Sequence, residues 1–218
     1  MKGLIRNNFY SVGSTLKWTI AFCMVINIGV IIGAVRFPSN DVFLPILISG
    51  QIGAFVGLTG TALQKDNASK WSKYERTLPL KICTVVRARY ISFLIFSIIG
   101  ILLGTITVLL FSLISGQPLN LERVGYGYSL GITFALVVPA FLYPLVLKFG
   151  ADKSEILLMI AVVITIGLFV GGSVILGPYL NHLNNVNMIY RIVCIAIGFV
   201  MFIGSYFISL ALYKRKEF

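Results

Sequence analysis

Residues 90–115 read YISFLIFSIIGILLGTITVLLFSLIS, with no Asp, Glu, Lys or Arg among them. A helix needs about 20 apolar residues to cross a hydrocarbon core ~30 Å thick, and this run is long enough. In lipid, only a helix satisfies its own backbone hydrogen bonds without pairing to another segment. The run therefore sets the fold class: an all-α integral membrane protein. Working outward, five more runs meet the same criterion: Trp18–Val35, Val42–Leu63, Val124–Leu147, Ile156–Leu176 and Ile189–Tyr213. The composition agrees, since the 218 residues are 58% hydrophobic and 11% charged, with a mean hydropathy of +0.95. A chain this apolar cannot cover its surface with polar groups, so lipid must solvate it.

The net charge of +11 acquires meaning only when placed along the chain. Of the 18 Lys and Arg, only Arg36, Arg123 and Arg191 fall on one side of the six expected spans. The other fifteen fall on the opposite side, which the positive-inside rule makes cytoplasmic, with both termini. The basic balance is thus a topology signal and not a nucleic-acid footprint. The expected outer loops, 37–41, 116–123 and 177–188, are too short for a capture domain.

The second span contains SGQIGAFVGLTGTAL, in which Gly50, Gly53, Gly57 and Gly60 recur every three or four residues beside Ala54 and Thr61. Such a close-packing stripe lets helix backbones approach. It serves tight packing within one bundle, or a subunit interface or path. Gly29/Gly33, Gly100/Gly104, Gly127/Gly131 and Gly167/Gly171 repeat the spacing. Pro139 and Pro144 lie inside the fourth span and are expected to kink it. Gly150 ends it, and Asp152 and Ser154 are candidate caps for the next helix. Leu4, Ile5, Phe9 and Val12 share a helical face, which predicts a short amphipathic helix lying in the inner interface ahead of the first span.

Missing chemistry is equally informative. There is no GxxxxGK[ST] loop for ATP, and no charged residue in mid-span to relay ions or protons. His182, with Asn185 or Ser173, lacks a catalytic partner set and reads as a loop histidine. Cys23, Cys83 and Cys194 are odd in number and scattered; they form no disulfide or metal pattern and read as small hydrophobes.

The remaining concentration of charge is DNASKWSKYERTLP, residues 66–79. Ser72 and Glu75 have capping-box spacing, with Asp66, Asn67 or Ser69 as earlier caps. Pro79 stops the helix by pushing Leu78 out of the α region. Trp71, Tyr74 and Leu78 share a face, with Lys70, Lys73 and Arg76 largely off it. A helix of two or three turns needs something to pack on. Two supports fit: the membrane interface with its anionic lipid, or a partner that takes Trp, Tyr and Arg as anchors.

The pattern of Asp66, Trp71, KYERTLPL (residues 73–80), Lys81 and VVRARY (residues 85–90) resembles the coupling-helix region of ABC-2 type transporter permeases, six-span bacterial membrane subunits. PLVLKFGADK (residues 144–153) resembles a second cytoplasmic loop of that family, and MKGLIRNNFY (residues 1–10) its elbow helix. The likeness runs over the whole chain, and within the family the size and layout resemble the permeases of the staphylococcal phenol-soluble modulin exporter group. The sequence departs from the family at Lys81–Ile82, where Arg often follows the LPx triplet, and near Asn8, where an acidic residue is usual.

This resemblance implies that residues 1–218 form a single transmembrane permease domain of a bacterial plasma membrane. Asp66, Lys70, Trp71, Tyr74, Glu75, Arg76, Leu78 and Pro79 would dock a cytosolic ABC ATPase subunit. Lys148, Phe149, Gly150 and Lys153 would form the second cytoplasmic loop. Mg-ATP would sit on the ATPase, with no cofactor in this chain. A second permease chain, identical or different, would pair around the first and fifth spans, with membrane lipid as the remaining partner. Without a capture domain, the expected direction is export of an amphipathic or apolar cargo, such as a peptide. The rival readings are a non-transporting assembly or signalling membrane protein whose loop binds a partner, and an uncoupled channel.

Overall fold

A computed structural model describes residues 2–36, 43–71, 81–116, 118–180 and 186–215. Among them are six long helices and no strand: α1 (Lys2–Arg36), α2 (Leu44–Ala68), α3 (Ile82–Ser115), α4 (Leu121–Phe149), α5 (Ser154–Leu180) and α6 (Val186–Arg215), with a 3-10 turn, Ala151–Lys153, joining α4 to α5. All six are long and apolar enough to cross a membrane.

The helices outrun the expected spans because charge marks the edge of a bilayer, whereas helices end at backbone breakers. Thus α3 starts at Ile82 rather than Tyr90, and the VVRARY stretch is helical. It ends where Gly116 adopts φ +60°, with Pro118 two residues on. Asn120 caps α4, its Oδ1 accepting from the Glu122 and Arg123 amides at 3.1 and 3.2 Å. Gly150, at φ +93°, closes α4 by donating its N–H to the Val146 carbonyl at 3.0 Å.

The expected elbow helix is not a separate element. It is the first part of α1, which runs unbroken for 35 residues, about 52 Å. No proline interrupts it, and one buried seam (Leu4, Asn8, Val12, Cys23, Asn27 and Val30) continues through both parts. That seam packs mainly on α3 and also meets α2.

The centre of the bundle is α2 and α4. Of their most apolar windows 61% is buried, against 17% for α1 and 22% for α5 and α6. Residues such as Leu113, Val163 and Phe207 project outward, as lipid-facing side chains should. One apolar core joins Leu4, Leu63, Val86, Tyr90, Val146 and Tyr213 at the end holding both termini. A second joins Val30, Ile48, Phe111 and Val124 toward the other end. Hence the six helices alternate in direction.

Glycines make the close approaches, although the expected stripe is not where they occur. A Cβ on Gly127 would lie 2.7 Å from the Pro45 Cα, and one on Gly100 3.0 Å from the Ile52 Cα. A Cβ on Gly50, Gly53 or Gly57 would meet nothing within 4 Å among the described residues, whereas one on Gly60 would meet Leu158 of α5. Tight packing within the bundle, one of the two readings of the stripe, therefore holds for Gly60 alone.

Candidate functional site

The residues that the sequence singles out gather at the basic end of the bundle, where α2 stops and α3 begins. α2 ends at Ala68, and Lys70 turns the chain in the left-handed region at φ +54°, its N–H donating to the Asn67 carbonyl at 2.9 Å. A non-glycine residue pays a steric penalty there, so the reversal is fixed by its surroundings. Lys70 is exposed and Trp71 half-buried. Tyr74, Glu75, Arg76, Leu78 and Pro79 lie outside the described residues, as do His182 and Asn185.

Asp66 departs from its expected role. It faces inward and forms an ion pair with Arg89 of α3, both side chains being 7% exposed. Arg89 also donates to Asn8 Oδ1 at 2.6 Å, and Asn8 Nδ2 donates to Ser92 Oγ at 2.8 Å. Asn8 thus acts as a neutral acceptor for Arg89, while Asp66 supplies the charge. This cluster locks α1, α2 and α3 together. An unpaired charge there would be costly, and pairing with hydrogen bonds to the remaining donors is what makes burial tolerable. Lys65 adds contacts to Ser14 and Thr15 of α1 at 3.4 and 3.2 Å.

The two loop motifs meet. Asn67 Nδ2 donates to Asp152 Oδ1, and Gln64 Nε2 donates to Glu155 Oε1 at 3.0 Å. The expected cap Asp152 is therefore engaged by α2. Lys148 and Phe149 are exposed just before this junction, with the ammonium 5.4 Å from the ring centroid. Lys153 is exposed and Gly150 half-buried. Exposed around the junction are Lys70, Lys148, Phe149 and Lys153 together with Asp152 and Glu155, a mixed-charge surface with a basic excess and an aromatic edge.

Sequence reasoning missed two features. Arg89 counted as a topology charge and as part of the VVRARY motif, not as a buried partner, though an Arg directly at the edge of an expected span, 23 residues after an Asp, was a pairing signal. The second is a polar triad inside the apolar region. Thr107 Oγ1 donates to Asn27 Oδ1 at 2.6 Å and accepts from Gln51 Nε2 at 2.8 Å. Asn27 Nδ2 donates to the Cys23 carbonyl at 2.9 Å. All three side chains are buried, and they tie the same three helices again. Amides inside apolar runs were the visible signal. At the opposite end, Arg191 of α6 donates to the Glu122 carbonyl at 2.9 Å and lies 5.5 Å from the Tyr126 ring centroid.

None of these groups forms a nucleophile–base pair. No curated protein and no solved structure matches the chain. The family model described as ABC-2 family transporter protein matches residues 3–214, which take in all six helices almost entirely. The chain, a multi-pass membrane protein, therefore belongs to the ABC-2 family of transporter proteins.

Proposed function

We propose that this chain is the membrane-spanning subunit of an ATP-driven exporter in a bacterial plasma membrane. Its basic end faces the cytoplasm, following the positive-inside rule. Separate ABC ATPase subunits bind Mg-ATP and dock on the segment that begins at Lys70 and Trp71, beside the second loop at Lys148–Lys153. Their closure moves two paired permease chains between states, and an amphipathic or apolar cargo, such as a peptide, leaves the cell. The open stripe of Gly50, Gly53 and Gly57 faces the second permease chain and the path between the two. The resemblance to the phenol-soluble modulin exporter group favours a peptide cargo.

The observation that carries this reading is the junction of the two loops. Asn67 and Gln64 tie the end of α2 to the start of α5, one residue from the Asp66–Arg89 clamp. A push on the docking segment reaches four helices through that knot. The test is co-purification of the full-length chain with an ABC ATPase encoded beside it, followed by ATP-driven uptake of a fluorescent amphipathic peptide into inverted vesicles. Substituting both Trp71→Ala and Tyr74→Ala should abolish association and uptake while leaving the chain folded. Undiminished association and uptake in that variant would defeat the docking assignment.

A further inference from the structure

Proline 144 removes the N–H that would otherwise bond the Ala140 carbonyl four residues earlier. That carbonyl is not left bare. Ser205 of α6 donates its hydroxyl to it at 2.6 Å. The Ser205 hydrogen is thereby used, so in the contact between Ser205 and Tyr90 of α3, 2.7 Å long, the phenol is the donor. Ser209 then donates to the Tyr90 oxygen at 2.9 Å. The result is one directed chain, Ser209 to Tyr90 to Ser205 to the Ala140 carbonyl. Every hydroxyl in it is buried, where such chains polarise one another and a missing member is costly.

The position of the chain matters as much as its chemistry. Tyr90 adjoins Arg89, and the two side chains leave α3 in different directions. Arg89 reaches α1 and α2; Tyr90 reaches α6 and packs edge-on against Tyr143 of α4 and Phe202 and Tyr206 of α6. Eight residues separate Tyr90 from the start of α3 at Ile82. Pro144 lies close to the end of α4, just before the second loop. Beside Pro144, an open groove of about 300 Å³ runs between Phe141, Pro144, Met201 and Ile208. A Cβ on Gly204, in the same groove, would touch nothing within 4 Å. The helix therefore has room to bend at Pro144.

We infer that Ser205 and Tyr90 are positioning residues for a proline hinge in α4, holding the carbonyl that Pro144 orphans and linking the bend to the end of α3 nearest the docking segment. Its part in transport rests on the proposed function; its effect on the shape of α4 does not. Docked, α6 completes the backbone bonding of α4. Undocked, that carbonyl loses its partner, so the hydroxyl chain weights the balance between two arrangements of α4 and α6.

The test separates these two levels. Spin labels at Leu121→Cys and Phe149→Cys, with the three native cysteines replaced by Ala, report the bend of α4 in the full-length chain in nanodiscs without ATPase. Ser205→Ala should move the distance distribution by a roughly fivefold change in population, what one net hydrogen bond supplies. Tyr90→Phe keeps the ring and should move it the same way by less. Pro144→Ala restores the missing N–H, and in that background Ser205→Ala should change nothing, a result that a merely structural serine would not give. In unlabelled complexes with the ATPase, Ser205→Ala should lower ATP hydrolysis roughly fivefold, again not when Pro144→Ala is present. An unchanged distribution in Ser205→Ala, or simple addition of the Ser205→Ala and Pro144→Ala effects, overturns the hinge. A shifted distribution with full ATP hydrolysis overturns its role in transport. Failure of the ATPase to bind the unsubstituted chain would overturn the proposed function and that role together, while the label distances would still decide the hinge.

Discussion

Helix α2 has two faces, and they obey opposite rules. On one, Ile48, Ile52, Phe55, Thr59, Ala62 and Asp66 recur at three- and four-residue steps, and none is more than 5% exposed. Ile48, Ile52 and Phe55 meet the glycines of other helices: Gly100 and Gly104 on α3, and Gly127 and Gly131 on α4. On the other face, Gly50, Gly53 and Gly57 have the same spacing, and a Cβ on any of them would meet nothing within 4 Å among the described residues. Bulky residues of α2 thus fill hollows made by glycines elsewhere, while the glycines of α2 leave a hollow of their own. Glycine spacing identifies a smooth helix face, but it does not say whether the neighbour is another helix of the same chain. Van der Waals contact drives association in lipid, so the closed face holds the fold and the open one is free for a second chain.

Substitutions can break or sharpen this contrast, and their expected effects fall in order. Asp66→Ala on the closed face should cost most, about 3–5 kcal/mol, because it leaves the buried Arg89 without its carboxylate; the midpoint of thermal unfolding in detergent checks it. Gly127→Ala comes next, at about 1–3 kcal/mol, since the new methyl would press on the Pro45 backbone at 2.7 Å and rigid backbone yields poorly. Gly60→Ala should cost less than about 1 kcal/mol in the same assay, as its methyl meets only the Leu158 Cδ1, the end of a side chain that can change rotamer. Gly53→Ala and Gly57→Ala should leave the stability unchanged or raise it by about 0.5–1 kcal/mol, with a midpoint equal or higher, because alanine favours the helix. Those two should instead reduce chemical cross-linking between permease chains. If either lowered the midpoint as far as Gly127→Ala, the two faces would not differ as described.

Much of the architecture was legible in the sequence. Six apolar runs gave six helices in alternating directions, and the charge count put both termini at one end. Proline 144 was visible as a missing backbone donor inside the fourth span, and residues 66–79 and 144–153 stood out as motifs. What stayed hidden depends on contact in three dimensions. Asp66 looked like part of a docking surface because its partner, Arg89, lies on the next helix. The break expected after the first fifteen residues does not occur, because an interfacial face and a buried face can be the same seam continued. Asn27, Gln51 and Thr107 stood apart in the sequence as isolated polar residues; only antiparallel packing of α1, α2 and α3 makes them one group. The partner of the Ala140 carbonyl was equally hidden, since a proline announces the missing donor and not its replacement.

The two polar clusters have a mechanical consequence. Along α1 they are attached at Asn8 and Asn27, about 28 Å apart at 1.5 Å per residue. A rod fixed to its neighbours at one point can swivel; fixed at two distant points, it can only travel with them. The first three helices therefore count as one rigid body with six degrees of freedom, and not as three rods. Bending within the subunit is then sought first in α4, which carries two mid-helix prolines, Pro139 and Pro144.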